Sequence, residues 1–588
     1  MRASRLLAAA AAAALALPVL AQDVAPGQPQ NAVTPAPAPS PTPTPSPAPA
    51  AGLPSAGGGE SETGLVELDL AELPPPPPPV EYPDHARRDE RVAGRLDPVG
   101  LGLGASPWKA ASGAFLSTLM RRMDTPLASR WAHIALRNAL IARIAAPRHV
   151  NPVDWTAERA WLLLRMGEAD GARMLIAGVD TDAFTPKMTQ VAVQSALANA
   201  DPSGLCPLQE GLPEVEPNIV QLVDAMCAAL AGEPEAAAEQ IDSARRRGRM
   251  RGIDLELAQK VVGAGSNTGR AVTIEWEPVD RLDTWRFGLA TATGMTFPER
   301  LIEDAPAQLR AWQAAAPLIA PEDRLESAEI ATGLGVFSGQ ALTDLHALIY
   351  DATGPDELPE TMAWQLRLAF LGSDVETRLA AMRRLWGRSD DPLRRMAALA
   401  LTGRAASLVQ PDPELQSDAP DLIAAMLAAG FDREAARWAQ AVSRMDDGPA
   451  DEAWAMLALG APDRSSLDLS LRRINAFIGR DTTEGKKRSA LLVAGLVGLG
   501  RIDAEAAGRL SGRHGLRLGH RSNWTRMIDQ AAAFRQSGTV LVLAGTGLQA
   551  ASFLDVPPAH VYHAVAALKA TGLEYTARMI ASEALART

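Results

Sequence analysis

WLLLRMGEADGARMLIAGV, residues Trp161 to Val179, carries the pattern that decides the fold. Leu163 is followed by Gly167, then by Ala172, Arg173 and Met174. Apolar residues recur at spacings of three and four on both sides of the glycine, which marks two amphipathic helices. Glycine ends the first helix because it accepts the left-handed C-terminal conformation. Five residues later, alanine sits where the second helix crosses the first, since only a small side chain lets two helices approach closely. The arrangement returns in AAMLAAGFDREAARWAQAV (Ala424 to Val442), with Gly430, Ala435, Arg437 and Trp438. It returns again in ALKATGLEYTARMIASEAL (Ala567 to Leu585), with Gly572, Ala577, Arg578 and Met579. Gly232 with Ala237 fits more loosely. Gly372 and Gly500 keep part of the pattern, with Leu368 and Leu496 four residues ahead.

Outward from these hairpins, helical periodicity runs from about Asp97 to Thr588. AFLSTLMRRM places Phe115, Leu116, Leu119 and Met120 on one face. SRWAHIALRNALIARI places Trp131, Ile134, Leu136, Leu140 and Ile141 on a stripe, with Arg130, Arg137 and Arg143 opposite. Breaks fall at Asp201-Pro202, Gly232, Pro321, Gly354-Pro355, Asp390 to Pro392, Gly460 and Pro557-Pro558. Asp555 before Val556-Pro557-Pro558 suits an N-cap with proline in the first turn. Val272 to Val279 and Thr539 to Gly545 alone suggest strands, and either suits a loop or a buried helix end. The expectation is an all-α body, an α-solenoid of stacked helix hairpins over residues 97–588, with a possible seam near 265–275. EWEPVDRLDTWRFGLATATGM (Glu275 to Met295), with Trp276, Trp285 and Phe287, and Trp312 close by, is expected to form the central core or to line a ligand groove.

The best three matches, at 155–179, 421–443 and 561–587, resemble tetratricopeptide-type helix hairpins, in which glycine and alanine hold comparable places. Gly430 and Gly572 lie 142 residues apart, near four units of about 34 residues. The family's Trp, Tyr and Pro signature positions are mostly missing, so the repeats are degenerate. The chain also resembles secreted, Ala-rich helical proteins of alphaproteobacterial type, a likeness that carries no activity. Helical repeats of this kind imply a scaffold whose face binds a protein or peptide partner.

The first 21 residues give an address. Arg2 and Arg5 precede an Ala/Leu run from Leu6 to Leu20, and Val19-Leu20-Ala21 offers small residues for cleavage before Gln22. This is the layout of a secretory signal peptide, with an apolar core of about 15 residues, short for a bilayer span. Residues 22–96 read as a Pro-rich, disordered linker, with Pro blocks at TPAPAPSPTPTPSPAPA and at Pro74 to Pro79. Between them GLVELDLAEL (Gly64 to Leu73) reads as a linker remnant or a docking peptide. A periplasmic or secreted location follows.

With 588 residues and a formal net charge of -12, the chain lacks the basic surplus that nucleic acid demands. Cys206 and Cys227 are its two cysteines, and in an oxidising compartment they pair as a disulfide. Closing that loop stabilises by roughly 3 kcal/mol. HExxH, Walker A, G-x-S-x-G and C-x-x-C motifs are absent. Ser106 to Lys109 spells S-x-x-K without its companion elements. His560 and His563 share a helix face but lack an evident third ligand. His514 and His520 lie in a basic, glycine-broken loop, and Ser243 to Gly252 packs five arginines at a helix end. No catalytic, cofactor or metal residue is assigned. The expected role is a non-catalytic, exported scaffold for a cell-envelope protein or peptide. The alternatives are a glycan-acting envelope enzyme and a peptidoglycan- or polysaccharide-binding structural protein.

Overall fold

The computed structural model describes residues 87–588, apart from 248–249, 268–271, 464–465, 517 and 519. The leader, the Pro-rich stretch to residue 86 and the Gly64 to Leu73 segment lie outside the described residues. The fold is all-α. Among the described residues the one sheet is a two-residue antiparallel pair, Val92–Ala93 with Ile144–Ala145.

The helices of eight residues or more run in the following order. First come α1 (Gly113–Arg122), α2 (Arg130–Ile141), α3 (Pro152–Arg165), α4 (Ala169–Ile176) and α5 (Pro186–Ala198). Then α6 (Val220–Leu230), α7 (Pro234–Arg247), α8 (Ile253–Gly265) and α9 (Thr284–Ala292) build a side lobe. They are followed by α10 (Ala307–Ala314), α11 (Pro321–Leu334), α12 (Gly339–Ala352), α13 (Met362–Leu371), α14 (Val375–Trp386), α15 (Pro392–Ala406) and α16 (Ala419–Ala428). Last are α17 (Asp447–Gly460), α18 (Leu471–Arg480), α19 (Lys487–Gly498), α20 (Ala504–His514), α21 (Asn523–Ala533), α22 (Ser537–Gly547), α23 (Pro558–Ala570) and α24 (Glu574–Ala586).

Hairpins are the unit. Gly167 (φ +88°) turns α3 into α4, Gly430 (φ +87°) follows α16, and Gly572 (φ +92°) turns α23 into α24. At Gly430 two constraints meet: the φ is left-handed, and a Cβ there would lie 2.8 Å from the Tyr575 hydroxyl. Ala172, Ala435 and Ala577 are fully buried. Gly232, Gly335 and Gly500 also take positive φ, whereas Gly372 stays at φ −53° and ψ 142°. Gly335 has no alanine five residues on, so the template passes over it.

The stack passes from α11 to α15, α16, α17 and α24, each packed on the next, and α2 bridges its two ends, lying against α11 and α24. α2 lies against both α22 and α24. The ends are held by charge. Glu583, buried in α24, accepts from Ser129 Oγ at 2.6 Å, Arg130 N at 2.8 Å and Trp131 N at 3.2 Å, and so covers the amides at the start of α2. Arg130 in turn donates to Thr332 O of α11 and Ala428 O of α16, both at 2.9 Å. Sequence periodicity puts Arg130 on the solvent face of its helix, but it is buried, because its guanidinium serves carbonyls at two other helix ends. Arg159 does the same for α2, donating to Leu140 O at 2.8 Å and Ala142 O at 2.6 Å. Burial lowers Arg130 to about 10 and Arg159 to about 9, so both stay charged at neutral pH.

Several expectations change. The ordered body starts before Asp97: Arg88 pairs with Asp180 at 2.8 Å, and Ala93 is buried. The short strand at Val92 explains this, since its partner Ile144 closes the main core. Residues 272–283 are irregular, and Thr539 to Gly545 lies within α22. That apolar run is continuous because α22 is buried on every side, so its lack of helical periodicity is a consequence of position. Asp555 is not a cap; α23 starts after Pro557 without a side-chain cap. The aromatic region is not the central core. Trp285 belongs to the side-lobe core with Leu222 and Leu255, and Phe287 to a small satellite core with Val279 and Leu309. The main core uses residues from 93 to 198 and from 311 to 585. The Cys206–Cys227 disulfide ties the side lobe together, linking α6 to the 3-10 turn Pro202–Leu208.

Replacing Ala577 by Leu overfills the site where α24 folds back on α23, and should destabilise by roughly 1–3 kcal/mol. Chemical denaturation reads this directly; an unchanged midpoint would show that the crossing tolerates bulk.

Candidate functional site

Two features singled out in the sequence meet at one cleft of about 330 Å³. One wall is the α3–α4 turn, where Gly167 sits so close that a Cβ would come within 2.7 Å of Ala311 Cβ. The opposite wall carries Phe287 of α9 and Trp312 of α10, with ring centroids 5.8 Å apart, and Phe337 after α11. Ala198, Ala315 and Ala316 leave the space open because they are small. Trp276 and Trp285 are not among the residues that line it.

The polar groups are placed by the same turn. Glu168 is buried, within 2.9 Å of His133 Nε2 and 3.4 Å of Arg137, so its charge is matched. Asp170 and Arg173 pair at 3.3 Å on the exposed rim. Asn199 donates to Ala169 O at 3.0 Å and fixes the end of α5 against α4. Trp312 Nε1 is buried and has no hydrogen-bond partner among the described residues. A buried indole N–H without an acceptor costs stability. The cleft therefore offers apolar walls and an ion pair at its mouth, which suits an apolar side chain with a polar neighbour.

The remaining candidates are structural. Trp108 is buried edge-on to Trp155 at 5.3 Å, and Lys109 donates to Phe534 O at 3.0 Å, so Ser106 to Lys109 anchors the N-terminal segment and is not helical. His560 Nδ1 faces Gly547 O at 2.9 Å and His563 Nδ1 faces Asp529 at 2.7 Å, so the pair does not converge. Burial lowers the His560 imidazole below its usual range. His514 meets Asn475 at 2.9 Å. Among the described residues no group of His, Cys, Asp and Glu could hold a metal, and no helix is long and apolar enough to cross a membrane. Arg245 and Arg246 lie near the C-terminal end of α7, where cations suit the helix dipole. A second cleft of about 80 Å³ is bordered by two ion pairs, Arg395–Asp421 at 2.6 Å and Arg488–Glu452 at 3.1 Å.

Buried carboxylates are matched by cations throughout: Glu158 by Lys187, Glu329 by Arg394, Asp418 by Arg383, Asp432 by Arg578 and Asp451 by Arg473 and Arg480. Burial alone would raise Asp451, but hydrogen bonds from Arg480 and Arg473 outweigh it and hold the carboxyl below its ordinary range. A general acid of glycan chemistry needs the opposite shift. The chain matches no family model, no curated protein and no solved structure.

Since Asp451 titrates lower in the folded state, its contribution is full above its ordinary pKa of 3.8 and is lost as pH falls through the lowered value. Asp451→Asn should therefore melt earlier than wild type at pH 7, with the gap narrowing below pH 3.8. A gap of constant size across that range would separate Asp451 from the ion-pair account.

Proposed function

We propose that this chain is an exported, non-catalytic helical scaffold that binds a protein or peptide partner in the cell envelope through the cleft between the α3–α4 turn and Trp312. The observation that carries the reading is the joining of the strongest hairpin turn to an aromatic wall of Phe287, Trp312 and Phe337 around one cleft. A tetratricopeptide-like origin of the hairpins agrees with the left-handed glycines and buried alanines of the three best matches. Export accords with the Arg2 to Ala21 leader pattern and with a disulfide between the two cysteines. The carboxylates fit this role as well, since those buried in the body are paired with arginine or lysine and serve packing.

Affinity capture from envelope extract tests it, with full-length protein beside Trp312→Ala and Asp170→Arg. A stoichiometric polypeptide partner should be recovered by wild type and bound roughly thirtyfold more weakly by Trp312→Ala. Co-sedimentation with sacculi in place of a polypeptide would favour the polysaccharide-binding alternative. A partner bound equally by both variants would place recognition elsewhere on the surface.

A further inference from the structure

A smaller cavity lies away from the cleft, between α11, α12, α14 and α15, with a volume of about 20 Å³. That admits one water-sized body or a monatomic ion and excludes sulfate or phosphate. Three donors border it. His346 of α12 is 2% exposed, and its Nδ1 has no hydrogen-bond partner among the described residues. Ser389 Oγ accepts from Asp391 N at 3.2 Å, which leaves its hydrogen free to donate. Arg388 is the third: it pairs with Glu329, and its guanidinium has further N–H groups to offer.

The charges around the cavity are tightly ordered. Glu329 is held by Arg388 and by Arg394 Nε at 2.8 Å. Glu326 is shared by Arg310 at 3.0 Å and Arg394 at 3.6 Å, and Asp421 takes Arg395 at 2.6 Å. The lining itself carries three arginines, Arg388, Arg394 and Arg395, and one carboxylate, Glu329. Asp391 is engaged separately, accepting from the Leu393 and Arg394 amides at the start of α15. Burial, and then the neighbouring Arg388, push His346 down to about 4, so at neutral pH the ring is uncharged and carries a single N–H.

We propose that this cavity is a halide site, in which one chloride ion is held by the Arg388 guanidinium, the His346 Nδ1–H and the Ser389 hydroxyl. The ion satisfies a buried ring nitrogen that protein atoms leave unpaired, in a lining where arginines outnumber carboxylates. It also joins α12 to the α14–α15 turn.

Thermal unfolding of the full chain in sodium chloride and in sodium gluconate at matched ionic strength tests this, together with chloride NMR line broadening. The melting point should be higher in chloride by roughly 2 °C and saturate with concentration. Broadening should be present in wild type and lost in His346→Leu and in Ser389→Ala. His346→Leu should also be at least as stable as wild type in gluconate, because it removes an unpaired polar group, so loss of the chloride response will not reflect unfolding. Equal melting in both salts, or broadening that survives both substitutions, overturns the proposal and leaves the cavity to a water molecule.

Discussion

The contact between Glu583 and the first turn of α2 governs this structure, because it joins residues more than 450 positions apart. One carboxylate meets a serine hydroxyl, two backbone amides and Arg587. Without those partners, a buried anion would cost several kcal/mol. With them, it fixes where α2 begins and so aims Arg130 at the ends of α11 and α16. Four helices from distant parts of the chain are thereby held at one point.

The same device recurs. Arg159 serves the end of α2, Arg165 the end of α1 through Met123 O at 2.7 Å, and Arg578 the end of α17 through Gly460 O. Helix ends expose carbonyls with partial negative charge, and packing hairpins tightly buries many of them. Alanine and glycine at the crossings bring helices close, and arginine answers the carbonyls that closeness strands. Small residues and long cations are two parts of one packing solution. The cleft at Trp312 forms where it is incomplete, since small residues such as Ala198, Ala315 and Ala316 line it.

What the sequence reveals divides along range. Gly167, Gly430 and Gly572 are legible because left-handed turns are local, and Cys206 with Cys227 because two cysteines leave one pairing. The roles of Arg130 and Glu583 are not legible. Helical periodicity assigns faces from neighbours within a few residues, and it sends a charged residue to solvent unless a remote partner intervenes. A signal does exist for Glu583, which follows Met579 and Ile580 on a buried stripe, where a lone carboxylate calls for a partner. Thr539 to Gly545 misleads for the related reason that a fully enclosed helix has no polar face. The cleft is half legible: the turn and the aromatics stand out separately, but their meeting depends on how α10 packs against the Gly167 turn.

Native-state hydrogen exchange on Glu583→Gln tests the central claim most directly. Breaking this pairing should cost roughly 3–5 kcal/mol and raise exchange together at the start of α2 and in the last turns of α11 and α16, which Glu583 does not touch. Faster exchange confined to α24 and the first turn of α2 would contradict the account, leaving Glu583 a local cap and the closure of the stack to apolar packing alone.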